Sequence, residues 1–186
     1  MSKVYLGLVH YPIYNRNMQV VTGSVTNFDI HDISRTCTTY DIQKYFVIHP
    51  AQPQQEIINE ILKYWRQGYG STANPDRNQA LGIVQLVNDI RAAVEAIELA
   101  EGQKPLVLTT DARTYPNTVS YRYAREHILT QVQPILLLFG TGWGLEDGVM
   151  KSFDYILEPI YGAGEYNHLC VRSAVAIILD RLLGTA

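Results

Sequence analysis

Residues 135–148 read ILLLFGTGWGLEDG. Five large apolar side chains in succession are the mark of a strand buried on both faces, as in a parallel sheet. Gly140, Gly142 and Gly144 follow it, and glycines there let the backbone turn sharply and approach a ligand closely. The spacing alone is weakly specific. It is G-x-G-x-G, with Leu145 where a dinucleotide fingerprint would carry its third glycine. A ligand loop, a plain structural turn and the phosphate turn of a Rossmann-like oxidoreductase all remain open from this stretch.

Working outward, short runs of the same character occur at 3–10 (KVYLGLVH), 45–48 (YFVI), 106–110 (LVLTT) and 154–157 (DYIL). Between them lie helical periods. One runs through Ile57, Ile58, Ile61, Leu62 and Trp65, and a second through Leu81, Val84, Val87, Ile90, Val94 and Ile97. A third covers 119–132, and the last runs through Val171, Ala174, Val175, Ile178 and Leu182. The alternation predicts one α/β domain over 1–186, with a mostly parallel sheet flanked by helices. The stretch GYGSTANPDRN at 68–78 is expected to be a loop between two helices.

With 186 residues, 47% hydrophobic and 18% charged, the chain can bury a full core without staples. A net charge of −3 argues against a general polyanion binder, so any nucleic-acid surface must be local. Cys37 and Cys170 form no metal or disulfide pattern, and His10, His49 and His127 stand alone, so no metal site is expected. No apolar run reaches the roughly 20 residues of a membrane span and the N-terminus lacks a signal-peptide pattern, so a cytoplasmic protein is expected.

A second glycine-bearing segment, ILEPIYGAGEYNHLCVRSAVAIILDRLLG at 156–184, runs from a strand through a loop into a helix opening near residues 168–171. Taken together, the FGTGWGL loop, the EPIYG loop and the NHLCVRSAVAIILDRLLG helix resemble motifs two and three of the SPOUT RNA methyltransferases. DIHDISRTCTTYDIQKYFVIH at 29–49 resembles motif one of the 2′-O-methylating branch, where an asparagine and, six residues later, an arginine open a helix. Here Asp29 and Arg35 occupy those places. The three motifs span nearly the whole chain and are closest to a bacterial subgroup of the family.

The resemblance implies a C-terminal deep trefoil knot, a homodimer and S-adenosylmethionine as cofactor. It implies a cofactor site formed by Thr109, Thr110, Leu138, Gly140, Thr141, Gly142, Trp143, Gly144, Ile156, Pro159, Gly162, Asn167, His168, Leu169 and Cys170. Catalysis would fall to Arg35, with His31 or Asp32 as a proton acceptor. A helix-capping Asp29 and an Arg35 paired with a surface acid are the plain alternatives. The expected acceptor is RNA, either tRNA or rRNA. Arg113, Tyr115, Arg122, Tyr123 and Arg125 offer cations interleaved with rings, which is what unpaired bases and phosphates require; a solvated helix face fits equally. Lys63, Tyr64, Arg66 and Tyr69 form a second such cluster. Because Asp29 departs from the motif, a catalytically inactive RNA- or nucleotide-binding protein with the same fold is the alternative.

Overall fold

The structure is a computed structural model that describes residues 2–164 and 166–185. Its strands are β1 (Val4–Val9), β2 (Ile13–Tyr14), β3 (Val20–Val21), β4 (Tyr45–Ile48), β5 (Val84–Val87), β6 (Leu106–Thr110), β7 (Thr118–Val119), β8 (Ile135–Gly140) and β9 (Tyr155–Leu157). The helices are α1 (Asn27–Thr39), α2 (Gln52–Gln67), α3 (Tyr69–Ala73), α4 (Pro75–Gly82), α5 (Ile90–Glu101), α6 (Tyr121–Tyr123), α7 (Asp147–Met150) and α8 (Val171–Leu183). A π-turn at Ala124–Ile128 continues α6.

Seven strands form one sheet in the order β5-β4-β1-β8-β6-β9-β7, and every pairing in it is parallel. Alternate residues of β1 feed two cores. Val4, Leu6 and Leu8 pack with Ile30, Ile33, Val175, Ile178 and Leu179 from α1 and α8. Tyr5 and Val9 pack on the other face with Ala93 and Ile97 of α5 and Met150 of α7. Covering both faces explains why the strand sequences are continuously apolar.

The sheet agrees with the expected α/β class, and three local readings are corrected. The period through Leu81, Val84 and Val87 is broken, because 84–87 is an edge strand whose residues stand beside Tyr45–Ile48 of β4. Val84 is buried and the rest of β5 is half-buried, so pairing with β4 outweighs a coincidental helical spacing. Residues 68–78 are not a loop but the whole of α3 and the start of α4. Asn74 caps α4, its side chain accepting from the Arg77 N–H at 3.0 Å, and Pro75 fills the first helical position. The tract 119–132 likewise divides into β7, a short α6 and the π-turn.

α1 is the element that most directly positions the site. Thr26 is its N-cap: the hydroxyl accepts from the Asp29 N–H at 3.3 Å, while the Thr26 N–H donates back to Asp29 Oδ2 at 3.0 Å. This closed capping box ties off the first turn. Thr26→Ala is expected to lower unfolding stability by about 1 kcal/mol, read by urea denaturation; an unchanged midpoint would show that the box contributes nothing.

Candidate active site

The carboxyl ends of β6 and β8, with the segment after β9, open onto a single cleft of about 860 Å³. Such a crevice, outside the carboxyl ends of parallel strands, is where open α/β sheets bind ligands. Its walls come mainly from four chain segments, and Tyr121, Glu158 and Ile160 complete the lining. Residues 110–113 follow β6, 139–144 end β8, and 166–171 lead into α8, whose Ala174 and Ile178 form the floor. The fourth wall is Met18, Ser24, Thr26 and Asp29, from the hairpin β2–β3 and the start of α1.

The glycine loop is held by that hairpin. The Trp143 N–H donates to Tyr14 O at 3.0 Å, the Tyr14 N–H returns a bond to Gly144 O at 2.9 Å, and the Glu146 N–H donates to Pro12 O at 3.2 Å. Gly142 has φ +61° and Gly144 φ +98°, backbone conformations in which side chains are strained. A Cβ on Gly142 would lie 2.9 Å from Tyr14 O. The fingerprint turn of a dinucleotide enzyme is excluded on geometry, since only the four-residue α7 follows the loop.

On the β6 side, Asp111 organises two side chains. Arg113 Nε donates to Asp111 Oδ1 at 3.0 Å and Nη2 to Oδ2 at 3.1 Å, while the Tyr115 hydroxyl donates to Oδ2 at 3.2 Å. Hydrogen bonding to Asp111 holds the Arg113 guanidinium charged beyond its ordinary range. Burial, then the negative charge of Asp111, pushes the Tyr115 hydroxyl up to about 12. Across the cleft, Asn167 Nδ2 donates to Ala112 O at 3.1 Å, tying the approach to α8 onto the β6 loop. Cys170, at the α8 N-cap, shares a hydrogen bond with Ser173 that lowers its thiol below the usual range.

Ten of the expected cofactor residues line the cleft: Thr110, Gly140, Thr141, Gly142, Trp143, Gly144, Asn167, His168, Leu169 and Cys170. Five do not. Thr109, Leu138, Ile156 and Pro159 are buried behind it, Thr109 donating its hydroxyl to Leu138 O at 3.2 Å, and Gly162 is exposed. The sequence reading missed Asp29 as a wall residue, together with Met18 and Tyr121, whereas Glu158 and Ile160 lie in the EPIYG loop that the resemblance places at the cofactor. The two-residue strands of the hairpin carry no periodic signal, so Met18 was not legible; the strand-terminal position of Glu158 was.

Arg35, His31 and Asp32 stand outside the cleft of their own chain. Arg35 and Asp32 line a separate shallow groove of about 410 Å³ with Tyr40 and Ala176. Asp32 pairs with Arg172 at 3.4 Å, so Arg35 does not take that acid. His31 sits edge-on to Trp65 at 5.4 Å, and burial, then Arg77, lowers its ring below the usual range. The basic, tyrosine-rich stretch is split. Arg113 and Tyr115 belong to the cleft wall or its support, whereas Arg122 and Tyr123 are exposed on α6. Arg125 is spent on the end of α8, donating to Arg181 O and Gly184 O. In the second cluster Arg66 turns inward, donating to Leu81 O and Val84 O. Among the described residues no group of three His, Cys, Asp or Glu could hold a metal.

A glycine-walled cleft at the carboxyl edge of a parallel sheet, beside a C-terminal helix, defines a ligand-binding domain of the α/β class. Residues 3–184 match the sequence profile described as SAM-dependent RNA methyltransferase, and the chain belongs to that family. An uncharacterized protein of Aquifex aeolicus is 45% identical over 181 residues, which are 97% of this chain and 88% of that one. A protein of Nitratidesulfovibrio vulgaris named tRNA (guanine-N(1)-)-methyltransferase is 42% identical over 97% of this chain, which spans only 42% of that relative. Among solved structures the A. aeolicus TrmH/SpoU tRNA modifying enzyme superposes with a TM-score of 0.56 at 15% identity, over 98% of this chain and 75% of the other.

The protein is therefore an S-adenosylmethionine-dependent RNA methyltransferase. The cleft suits that cofactor. It has the volume for a nucleoside-sized ligand, and Phe139, Ile160, Leu169 and Ile178 offer apolar walls to an adenine. When bound, the cofactor supplies an electrophilic methyl group, which the cleft residues would hold in place.

Proposed function

We propose that this methyltransferase modifies a structured RNA, tRNA or rRNA, as a cytoplasmic homodimer whose last helix threads the loop before it. The observation that carries the reading is the convergence of the 110–113, 139–144 and 166–171 segments on one cleft. The name of the Nitratidesulfovibrio relative supports tRNA. The bond from Asn167 to Ala112, which binds the approach of α8 to the β6 loop, supports the threaded arrangement. Among the described residues no helix is long and apolar enough to cross a membrane, and both thiols are unpaired, as suits a reducing compartment.

The dimer is supported by the apolar side chains exposed around the cleft mouth, Met18, Phe28, Trp143, Tyr166 and Leu169. Pairing through this face and the α1–α8 groove would cover them and bring Arg35 of one protomer toward the cleft of the other. Arg35 then orients the acceptor nucleotide, with His31 and Asp32 supporting it, while exposed Arg122 and Tyr123 contact the RNA outside the cleft. Arg113 and Tyr115 border the acceptor entrance.

The direct test compares modified nucleosides by mass spectrometry in RNA from cells with and without the protein. One methylated nucleoside is expected to disappear from the tRNA or rRNA fraction, and identical profiles would overturn the assignment. Arg35→Ala should lower methyl transfer at least tenfold while S-adenosylmethionine affinity, measured by calorimetry, stays within twofold. Wild-type turnover by that variant would remove Arg35 from the reaction.

A further inference from the structure

We propose that Asp29 takes the proton released by the methyl acceptor, so that the acceptor is a protic group, an N–H or O–H of the target nucleotide. This deepens the RNA-methyltransferase reading and rests on it.

Asp29 is 6% exposed, yet it lines the cleft. Its capping role uses one oxygen only: Oδ2 accepts from the Thr26 N–H at 3.0 Å and from the Thr26 hydroxyl at 2.7 Å. Oδ1 has no hydrogen-bond partner among the described residues and is not among the sealed polar atoms, so it keeps solvent access on a residue that lines the cleft. A capping box needs a single acceptor oxygen at this position, which an amide supplies as well. The second, unsatisfied oxygen is therefore surplus to the fold.

The charge is also uncompensated. No Lys, Arg or His lies within 4.0 Å of Asp29 among the described residues, leaving the α1 N-terminus and Thr26 as its support. Its backbone is fixed from behind by the buried Tyr45 hydroxyl, which donates to Asp29 O at 3.2 Å. Elsewhere in the cleft, Glu158 adds a second carboxylate, Oε1 accepting from the Tyr121 N–H at 3.0 Å. The only lysine or arginine lining the cleft among the described residues, Arg113, is tied to Asp111. An acidic recess without a free guanidinium repels phosphate and receives a neutral group that donates hydrogen bonds. A nucleobase N–H and a ribose hydroxyl share that chemistry.

The proton balance then closes. The acceptor gains a methyl group and gives up one proton; the sulfonium donor departs as a neutral thioether, and Oδ1 receives the proton before passing it to solvent.

Asp29→Asn keeps the shape and an oxygen for Thr26. Its thermal midpoint and its affinity for S-adenosylhomocysteine are expected to match the wild type within twofold in Kd. RNA affinity in the presence of S-adenosylhomocysteine should stay within about threefold, while single-turnover transfer falls about 100-fold or more. Asp29→Glu, which restores a carboxylate, should recover at least tenfold of that loss. Transfer by Asp29→Asn within threefold of wild type, or equal rates for the Asn and Glu variants, would overturn the proposal while leaving the enzyme's function intact. The same would follow from a product methylated on an atom that carries no proton beforehand. A methylated base nitrogen or a 2′-O-methyl ribose each supports it and separates the two sources. A wild-type protein that transfers nothing to RNA from cells lacking it overturns the functional reading as well.

Discussion

Gly142→Val is expected to abolish cofactor binding, raising the Kd for S-adenosylmethionine at least 100-fold, about 2.8 kcal/mol. Two costs combine at this residue. Its φ of +61° is strained for any side chain and worst for a β-branched one. The new Cβ would also stand 2.9 Å from Tyr14 O and 3.0 Å from Ile13 Cδ1. Tyr14 O cannot simply withdraw, because it holds the Trp143 N–H at 3.0 Å, and the Tyr14 N–H holds Gly144 O at 2.9 Å. The loop must move away from the hairpin, and with it the cleft wall formed by Gly140, Thr141 and Trp143. Strain and lost hydrogen bonds together should lower stability by about 3 kcal/mol. Gly162→Ala is the control, because a Cβ there meets nothing within 4 Å and the residue lies outside the cleft. Calorimetry on both variants checks the pair. Unimpaired binding by Gly142→Val would remove the glycine loop from the cofactor site.

The second large effect concerns acid. His10 is fully buried at the carboxyl end of β1, stacked on His49 with ring centroids 5.4 Å apart, and neither ring nitrogen has a partner among the described residues. His49 is committed: Nδ1 accepts from the Ala51 N–H at 3.1 Å, so Nε2 carries the proton and donates to Gly23 O at 2.9 Å. Burial, and then the neighbouring His49, pushes His10 down to about 3. In the unfolded chain it titrates near its ordinary value of about 6.5. Between these values the unfolded state binds a proton that the folded state refuses, so stability falls as pH falls. The contribution is fully present above about pH 6.5 and is lost at up to about 1.4 kcal/mol per pH unit below it. Between pH 7.5 and 5.0, His10 alone should remove about 2 kcal/mol from the urea-unfolding free energy. His10→Phe should flatten that limb, leaving the smaller slopes of His31 and His49, which burial also lowers. An equally steep limb in His10→Phe would show that the acid sensitivity lies elsewhere.

The hairpin links these two sites. The Gly23 N–H donates to His10 O at 2.8 Å, and the Thr141 hydroxyl donates to Val9 O at 3.0 Å, so the buried histidine lies directly beneath the loop that Gly142 shapes. Neither the hairpin nor its role was visible in the sequence. Two-residue strands have no period, and their meaning comes entirely from the loop they grip, more than 120 residues later in the chain.

The sequence by itself determined the parallel sheet, because strands buried on both faces must be written as continuous apolar runs, whatever their neighbours. It also determined the glycine loop at 140–144, since positive φ at Gly142 and Gly144 and the close approach of Tyr14 O demand glycine locally. The start of α4 was legible too, in the Asn74-Pro75 pair, although the glycines and serine around it pointed to a loop. What only the tertiary structure decided were the features that depend on distant partners. β5 is a strand because β4 offers it an edge, against a helical spacing that its own residues satisfy. Arg113 is neutralised because Asp111 reaches it, and Arg125 is consumed by the end of α8. Asp29 and Arg35, six residues apart on one helix, part company for the same reason: a helix turns 100° per residue, and packing of α1 against the sheet and α8 selects which side faces the cleft. It selects the buried carboxylate and leaves the arginine outside.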